Sequence, residues 1–178
     1  MSADTALLII DVQMGLFDDA DTRDRAVLER IATLLERARA TRTPVIFVQH
    51  DGGPGHPLEA GTPGWRIHPA VTPLDEEPIV RKRASDSFYK TRLQHALDAR
   101  GIMRLVVVGA MTEYCVDTTC RRALSQGYDV TLIADGHATG DRDGMTAEQV
   151  IVHHNAVLAH LAHPDHSITV VPAGEVRF

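Results

Sequence analysis

Three residues able to do chemistry stand just after short apolar runs. Asp11 directly follows Leu7-Leu8-Ile9-Ile10, and the residues after it, Val12 and Gln13, are not turn formers. Lys82 follows Pro78-Ile79-Val80 and is flanked by Arg81 and Arg83. Cys115 lies beyond Leu105-Val106-Val107-Val108-Gly109, where a helix from Val116 to Ser125 is expected to begin. A thiol at a helix N-terminus meets the positive end of the dipole and free backbone N–H groups, which lower its pKa from about 8.5. A nearby ammonium lowers it further, and a carboxylate can take its proton. The same N–H groups can form an oxyanion hole. A carboxylate, an ammonium and a thiol brought together in this way suit acyl transfer or hydrolysis. Each also has a plainer role: a free Cys is commonly a small buried hydrophobe, a strand-end Asp caps helices, and a lone Lys is usually solvated. Cys120, on the same expected helix, reads as structural.

The elements that must position these residues alternate. Leu7–Ile10, 44–48, 105–108 and 130–133 are short, continuous and rich in β-branched residues, as strands buried on both faces are. Ile79-Val80 and the 168–171 run are weaker examples. Between them, 24–42 carries Val27, Leu28, Ile31, Leu34, Leu35 and Ala38 at helical steps, and 91–100, 116–125 and 146–161 repeat the pattern. Gly101, Gly127 and Pro164 mark helix stops. The alternation predicts an α/β fold: a three-layer, doubly wound, mainly parallel six-stranded sheet with helices on both faces. Ligands of such sheets bind outside the carboxyl ends of the strands, where Asp11, Lys82 and Cys115 lie. Residues 50–73 break the pattern with many Gly and Pro and no periodicity, which predicts an active-site lid loop. It carries the chain's one tryptophan, Trp65.

Composition narrows the classes. A chain of 178 residues reads as a single domain, 1–178, and 44% hydrophobic residues are enough for its own core. A net charge of −6 argues against nucleic acid as a partner, since phosphate affinity rests on clustered Lys and Arg. Two cysteines, Cys115 and Cys120, make neither a disulfide framework nor a CxxC site. No run approaches the ~18 apolar residues of a membrane span, so no membrane association and a cytoplasmic location are expected.

Four segments carry a resemblance that spans almost the whole chain. They are Leu7-Leu8-Ile9-Ile10-Asp11-Val12-Gln13, Val80-Arg81-Lys82-Arg83-Ala84-Ser85-Asp86-Ser87-Phe88, Gly109-Ala110-Met111-Thr112-Glu113-Tyr114-Cys115-Val116 and Ala134-Asp135-Gly136. Their order and content resemble the isochorismatase-like cysteine hydrolases, a family that includes nicotinamidases, N-carbamoylsarcosine amidases and isochorismatases. The resemblance implies Cys115 as nucleophile, Asp11 as general base and Lys82 as the cation beside them. It implies a non-proline cis peptide at Ala110–Met111, an oxyanion hole from the Met111 and Cys115 amides, and an acidic turn at Asp135. Phe88 gains a pocket role from the motif; Trp65, Tyr114 and Thr112 are further pocket candidates, and Thr112 could instead hold the turn by a hydrogen bond. A homodimer or homotetramer is implied as well.

Departures from the relatives carry information too. Family nicotinamidases bind a metal through Asp-x-His and a later His, whereas this chain has Gln49-His50-Asp51, then His56 and His68. The order differs, so no metal and no cofactor are expected. His153, His154, His160, His163 and His166 read as structural or solvated, because Pro164 interrupts the run. Cys115 points to hydrolysis of a small-molecule amide or related C–N bond. Two alternatives stand beside it: vinyl-ether hydrolysis of the isochorismatase type, with Asp11 as acid, and a non-enzymatic α/β binding module.

Overall fold

The computed structural model describes residues 4–142 and 144–178. In chain order the main elements are β1 (Thr5–Ile10), α1 (Thr22–Ala40), β2 (Val45–His50), β3 (Ile79–Lys82), α2 (Leu93–Asp98), β4 (Arg104–Ala110), α3 (Asp117–Ser125), β5 (Asp129–Ala138), α4 (Ala147–Ala159) and β6 (Ile168–Val171). The six strands form one sheet in the order β3-β2-β1-β4-β5-β6. Every neighbouring pair is parallel. The order reverses between β1 and β4, the switch point at which such sheets open a crevice.

Alternation along β1 shows how the sheet is sandwiched. Ala6, Leu8 and Ile10 face a core shared with Leu93 and Leu97 of α2, Cys120 and Leu124 of α3, and Leu158 of α4. Leu7 and Ile9 face the opposite core, built on Val27, Ile31, Leu34 and Leu35 of α1. Each such fully buried Leu or Ile contributes roughly 1.5–3 kcal/mol relative to exposure. Helix α1 starts at Asp21, whose side chain accepts from the Arg23 amide, and α4 starts with a Thr146/Gln149 capping box. No described helix is long and apolar enough to cross a membrane.

Two local expectations differ from the structure. The helix expected from Val116 begins at Asp117 and is preceded by a wide π-helical turn, Thr112–Val116, which contains Cys115. Asp135 is not in a turn: β5 runs through it to Ala138, with a register shift opposite Val107 and Gly109 that absorbs the extra residues. Its carboxylate accepts from the Ala173 amide and pairs with Arg30 at 3.1 Å, away from Asp11 and Cys115. The segment between β2 and β3, expected as a loop, holds two short 3-10 turns at Pro63–Trp65 and Pro69–Val71.

Gly109 shows why the switch point needs its residue types. Its φ is 131°, and a Cβ there would stand 1.9 Å from the Ile10 carbonyl oxygen. Only glycine lets the ends of β1 and β4 come this close.

Candidate active site

Asp11, Lys82 and Cys115 meet at the carboxyl ends of β1, β3 and β4. Asp11 leaves β1 with φ at 51°, a left-handed conformation that costs a non-glycine residue about 1–3 kcal/mol and gathers at functional sites. That twist turns its side chain into the crevice between β1 and β4. Lys82, the last residue of β3, lies in register with His50 at the end of β2.

The Lys82 ammonium is the hub. Its Nζ stands 2.6 Å from Asp11 Oδ2 and donates to Cys115 Sγ at 3.0 Å and to the Ala84 carbonyl at 3.0 Å. His50 Nδ1 lies 3.3 Å away. The Lys82 and Asp11 side chains are 0% and 1% exposed, so this ion pair is not screened by water. Neither Asp11 oxygen has a hydrogen bond of good geometry from a described residue, which makes the contact to Lys82 an ion pair and leaves acceptor capacity open.

Burial sets the electrostatics. It raises the Asp11 pKa above the usual carboxylate value, and the Lys82 charge beside it only partly offsets this. Burial first, and the Asp11 charge second, push the Cys115 thiol up to about 11, against the pull of Lys82. The lowered thiol pKa expected from a helix start is therefore not found. The π-helical turn tucks Cys115 beneath the surface, and desolvation outweighs the helix end. His50 is pushed down to about 4, by burial first and Lys82 second, and is neutral at ordinary pH.

A cavity of about 270 Å³ opens onto these groups. Asp11, Cys115 and Met111 line it from the sheet, and Leu16, Pro57 and Leu58 supply apolar wall. His50, His56, Ser85 and Tyr114 add polar atoms. Of the four expected pocket residues, Tyr114 alone is in the wall. Trp65 is turned away: its Nε1 donates to Asp51 at 2.8 Å and its ring lies under the Arg81 guanidinium at 4.7 Å. Phe88 packs on Tyr128 in the core, with ring centroids 5.9 Å apart. Thr112 is buried and shares a 2.8 Å hydrogen bond with His137 Nδ1, and His137 Nε2 reaches Asn155 Oδ1 at 2.9 Å. Thr112 thus ties the turn that carries Cys115 to β5 and α4. The Ala110–Met111 peptide is cis.

The loop 50–73 lines this cavity through His50, His56, Pro57 and Leu58. It is pinned where the Trp65 carbonyl accepts from both Gln13 Nε2 at 2.8 Å and Gln49 Nε2 at 2.9 Å.

Asp11, His50 and Cys115 are also the one group of potential metal ligands among the described residues, with ligand atoms within 4.8 Å of one another. The Lys82 ammonium lies within 2.6 to 3.3 Å of all three. It already fills a cation's place there, and a metal ion beside it would meet like charge, so these residues do not fit a metal. Sequence reasoning missed His50 and Gln13 as parts of the site. The available signal was positional, since His50 ends its strand as Asp11 follows its own.

Comparison with known proteins adds an independent finding. Residues 5–162 match the sequence model of the Isochorismatase domain. A streptothricin hydrolase from Streptomyces noursei is 43% identical over 76% of this chain, and the match covers 50% of that protein. The chain thus spans about half the length of that relative. Nicotinamidase 3 from Arabidopsis thaliana is 31% identical, over 75% of this chain and 73% of its own. Among solved structures, an isochorismatase from Pseudomonas putida superposes with a TM-score of 0.88 at 31% identity, covering 98% of this chain and 91% of that one.

Proposed function

The chain belongs to the isochorismatase family, and we propose that it is a cysteine hydrolase that cleaves a small-molecule amide or related C–N bond through a thioester on Cys115. One observation carries this reading: the buried Lys82 ammonium touches both the Asp11 carboxylate and the Cys115 sulfur on the floor of a cavity.

The chemistry follows from charge. At rest the set holds an ammonium, a carboxylate and a neutral thiol. Moving the thiol proton to Asp11 gives an ammonium, a neutral acid and a thiolate, with the net charge unchanged. Lys82 contacts both possible anions, so no charge is created in the buried site during activation. The thiolate attacks the carbonyl, and the oxyanion forms beside the Met111 and Cys115 amides. Protonated Asp11 gives its proton to the departing amine as the C–N bond breaks. Water then attacks the thioester; Asp11 takes one of its protons and the released sulfur recovers a proton from Asp11. The loop 50–73 serves as the lid in this reading, and 1–178 acts as one hydrolase domain.

Streptothricin and nicotinamide, named by the relatives, are the first compounds to offer. Turnover with an acyl adduct on Cys115 in acid-quenched samples supports the reading, and full activity in Cys115→Ser would remove it. The burial-raised Asp11 pKa favours one other chemistry, vinyl-ether cleavage with Asp11 as acid. In that case Cys115→Ser stays active on such an ether.

A further inference from the structure

Two histidines in the cavity wall are left unused by the hydrolysis steps above. His50 is fixed from three sides. The Gln13 side chain clamps its backbone, with Oε1 accepting from the His50 amide at 2.8 Å and Nε2 donating to the His50 carbonyl at 3.0 Å. Its Nδ1 faces the Lys82 ammonium at 3.3 Å. A proton on Nδ1 would point at the ammonium, so Nδ1 presents its lone pair there and the ring proton resides on Nε2. No hydrogen bond from a described residue reaches that Nε2. His56 repeats the arrangement: its Nδ1 accepts from the Leu58 amide at 3.0 Å, which places its proton on Nε2 too. The two rings lie 5.3 Å apart, and both line the cavity that holds Cys115.

We propose that His50, seconded by His56, is a substrate-reading donor: its Nε2–H hydrogen-bonds an acceptor close to the scissile bond. The enzyme then prefers amides that carry a ring nitrogen or second carbonyl over plain hydrocarbon amides. The inference rests on the thioester reading above, because the acceptor is placed by attachment of the substrate at Cys115. Neutrality is part of the design. A protonated imidazole beside Lys82 would be repelled, and the low His50 pKa keeps the ring a neutral donor with a fixed tautomer. The apolar wall of Leu16, Pro57 and Leu58 offers a misplaced acceptor nothing in return.

The test uses benzaldehyde and the three pyridine carboxaldehydes as reversible probes, with a chelator present. The Cys115 sulfur adds to the aldehyde carbon, and the thiol proton ends on the new hydroxyl. Each affinity is divided by that for a free thiol, which removes differences in electrophilicity. At least one pyridine isomer should bind roughly tenfold or more tighter than benzaldehyde, the effect of one added hydrogen bond. The excess should vanish in His50→Asn, which keeps an acceptor for Lys82 near the Nδ1 position, and return in His50→Gln, which puts an amide N–H near Nε2. Benzaldehyde affinity in each variant reports whether the site is intact. No excess in the wild type, or an excess that survives His50→Asn, overturns the proposal. If no aldehyde adds to Cys115, the thioester reading fails instead. Long-range ¹H–¹⁵N spectra then still decide the His50 part: a proton on Nδ1 overturns it, and one on Nε2 upholds the donor.

Discussion

Asp11 and Lys82, the one on a left-handed residue after β1 and the other at the end of β3, form a fully buried ion pair at 2.6 Å. One strand, β2, separates the two, so Lys82 at the sheet edge reaches Asp11 across the end of β2. The pair underlies the cavity and sets a carboxylate and an ammonium beside the Cys115 sulfur.

Breaking that pair from one side should be costly. Lys82→Met leaves the Asp11 carboxylate buried without its partner, a loss of about 3–5 kcal/mol. The variant's Asp11 pKa rises further above the unfolded value of 3.8. The protonated acid is tolerated, so stability relative to wild type is best below that unfolded value and is lost as pH rises through the raised pKa. Adding Asp11→Asn should recover most of the loss at pH 7. Denaturant titrations of both variants decide it, and a double variant no more stable than Lys82→Met would refute the coupling.

His137 predicts an acid-side weakness of another kind. It is fully buried and its pKa is pushed down from 6.5 to about 4, chiefly by burial. The unfolded chain binds the proton first as pH falls, so stability declines between about 6.5 and about 4 and is then level. The drop is about 3 kcal/mol for this group. Urea unfolding at several pH values should show a shallower slope in His137→Gln than in wild type; equal slopes would count against the assignment.

Gly109→Ala tests the switch point. With a Cβ 1.9 Å from the Ile10 carbonyl and φ at 131°, the strands must part where they present Asp11 and the Cys115 turn. The cost should exceed about 3 kcal/mol, placing it among the severe substitutions. A melting temperature near that of wild type would show that the backbone relaxes easily.

Much of this architecture was legible in the chain because its signals are local. Leu7–Ile10, 105–108 and 130–133 are continuous apolar runs of strand length, rich in β-branched residues, as a strand covered on both faces requires. Asp11 and Lys82 stood out because a charge close behind such a run must emerge near a strand end, and Cys115 because it falls where the next helix was expected to begin. What was illegible depends on tertiary packing. The direction of the Cys115 pKa shift turns on desolvation by residues distant in sequence, and no spacing rule reports it. Trp65 and Phe88 are aromatic residues beside the site in sequence, but Asp51 with Arg81 in one case and Tyr128 in the other draw them away. His50 looked like an out-of-order metal ligand; only the register of β2 with β3 shows that its neighbour is an ammonium.

In the proposed hydrolysis the Cys115 proton is held against solvent and released only to Asp11. Site-resolved alkylation by iodoacetamide across pH, with the fully buried Cys120 as internal control, tests it most directly. Wild-type Cys115 should react slowly at neutral pH, with a rate still climbing toward an apparent pKa of about 11. Asp11→Asn removes the charge that raises this value and leaves Lys82 in place. That variant should alkylate faster at pH 8 while losing turnover. A wild-type rate that levels off below about 8.5, or an Asp11→Asn profile that matches wild type, would contradict the account.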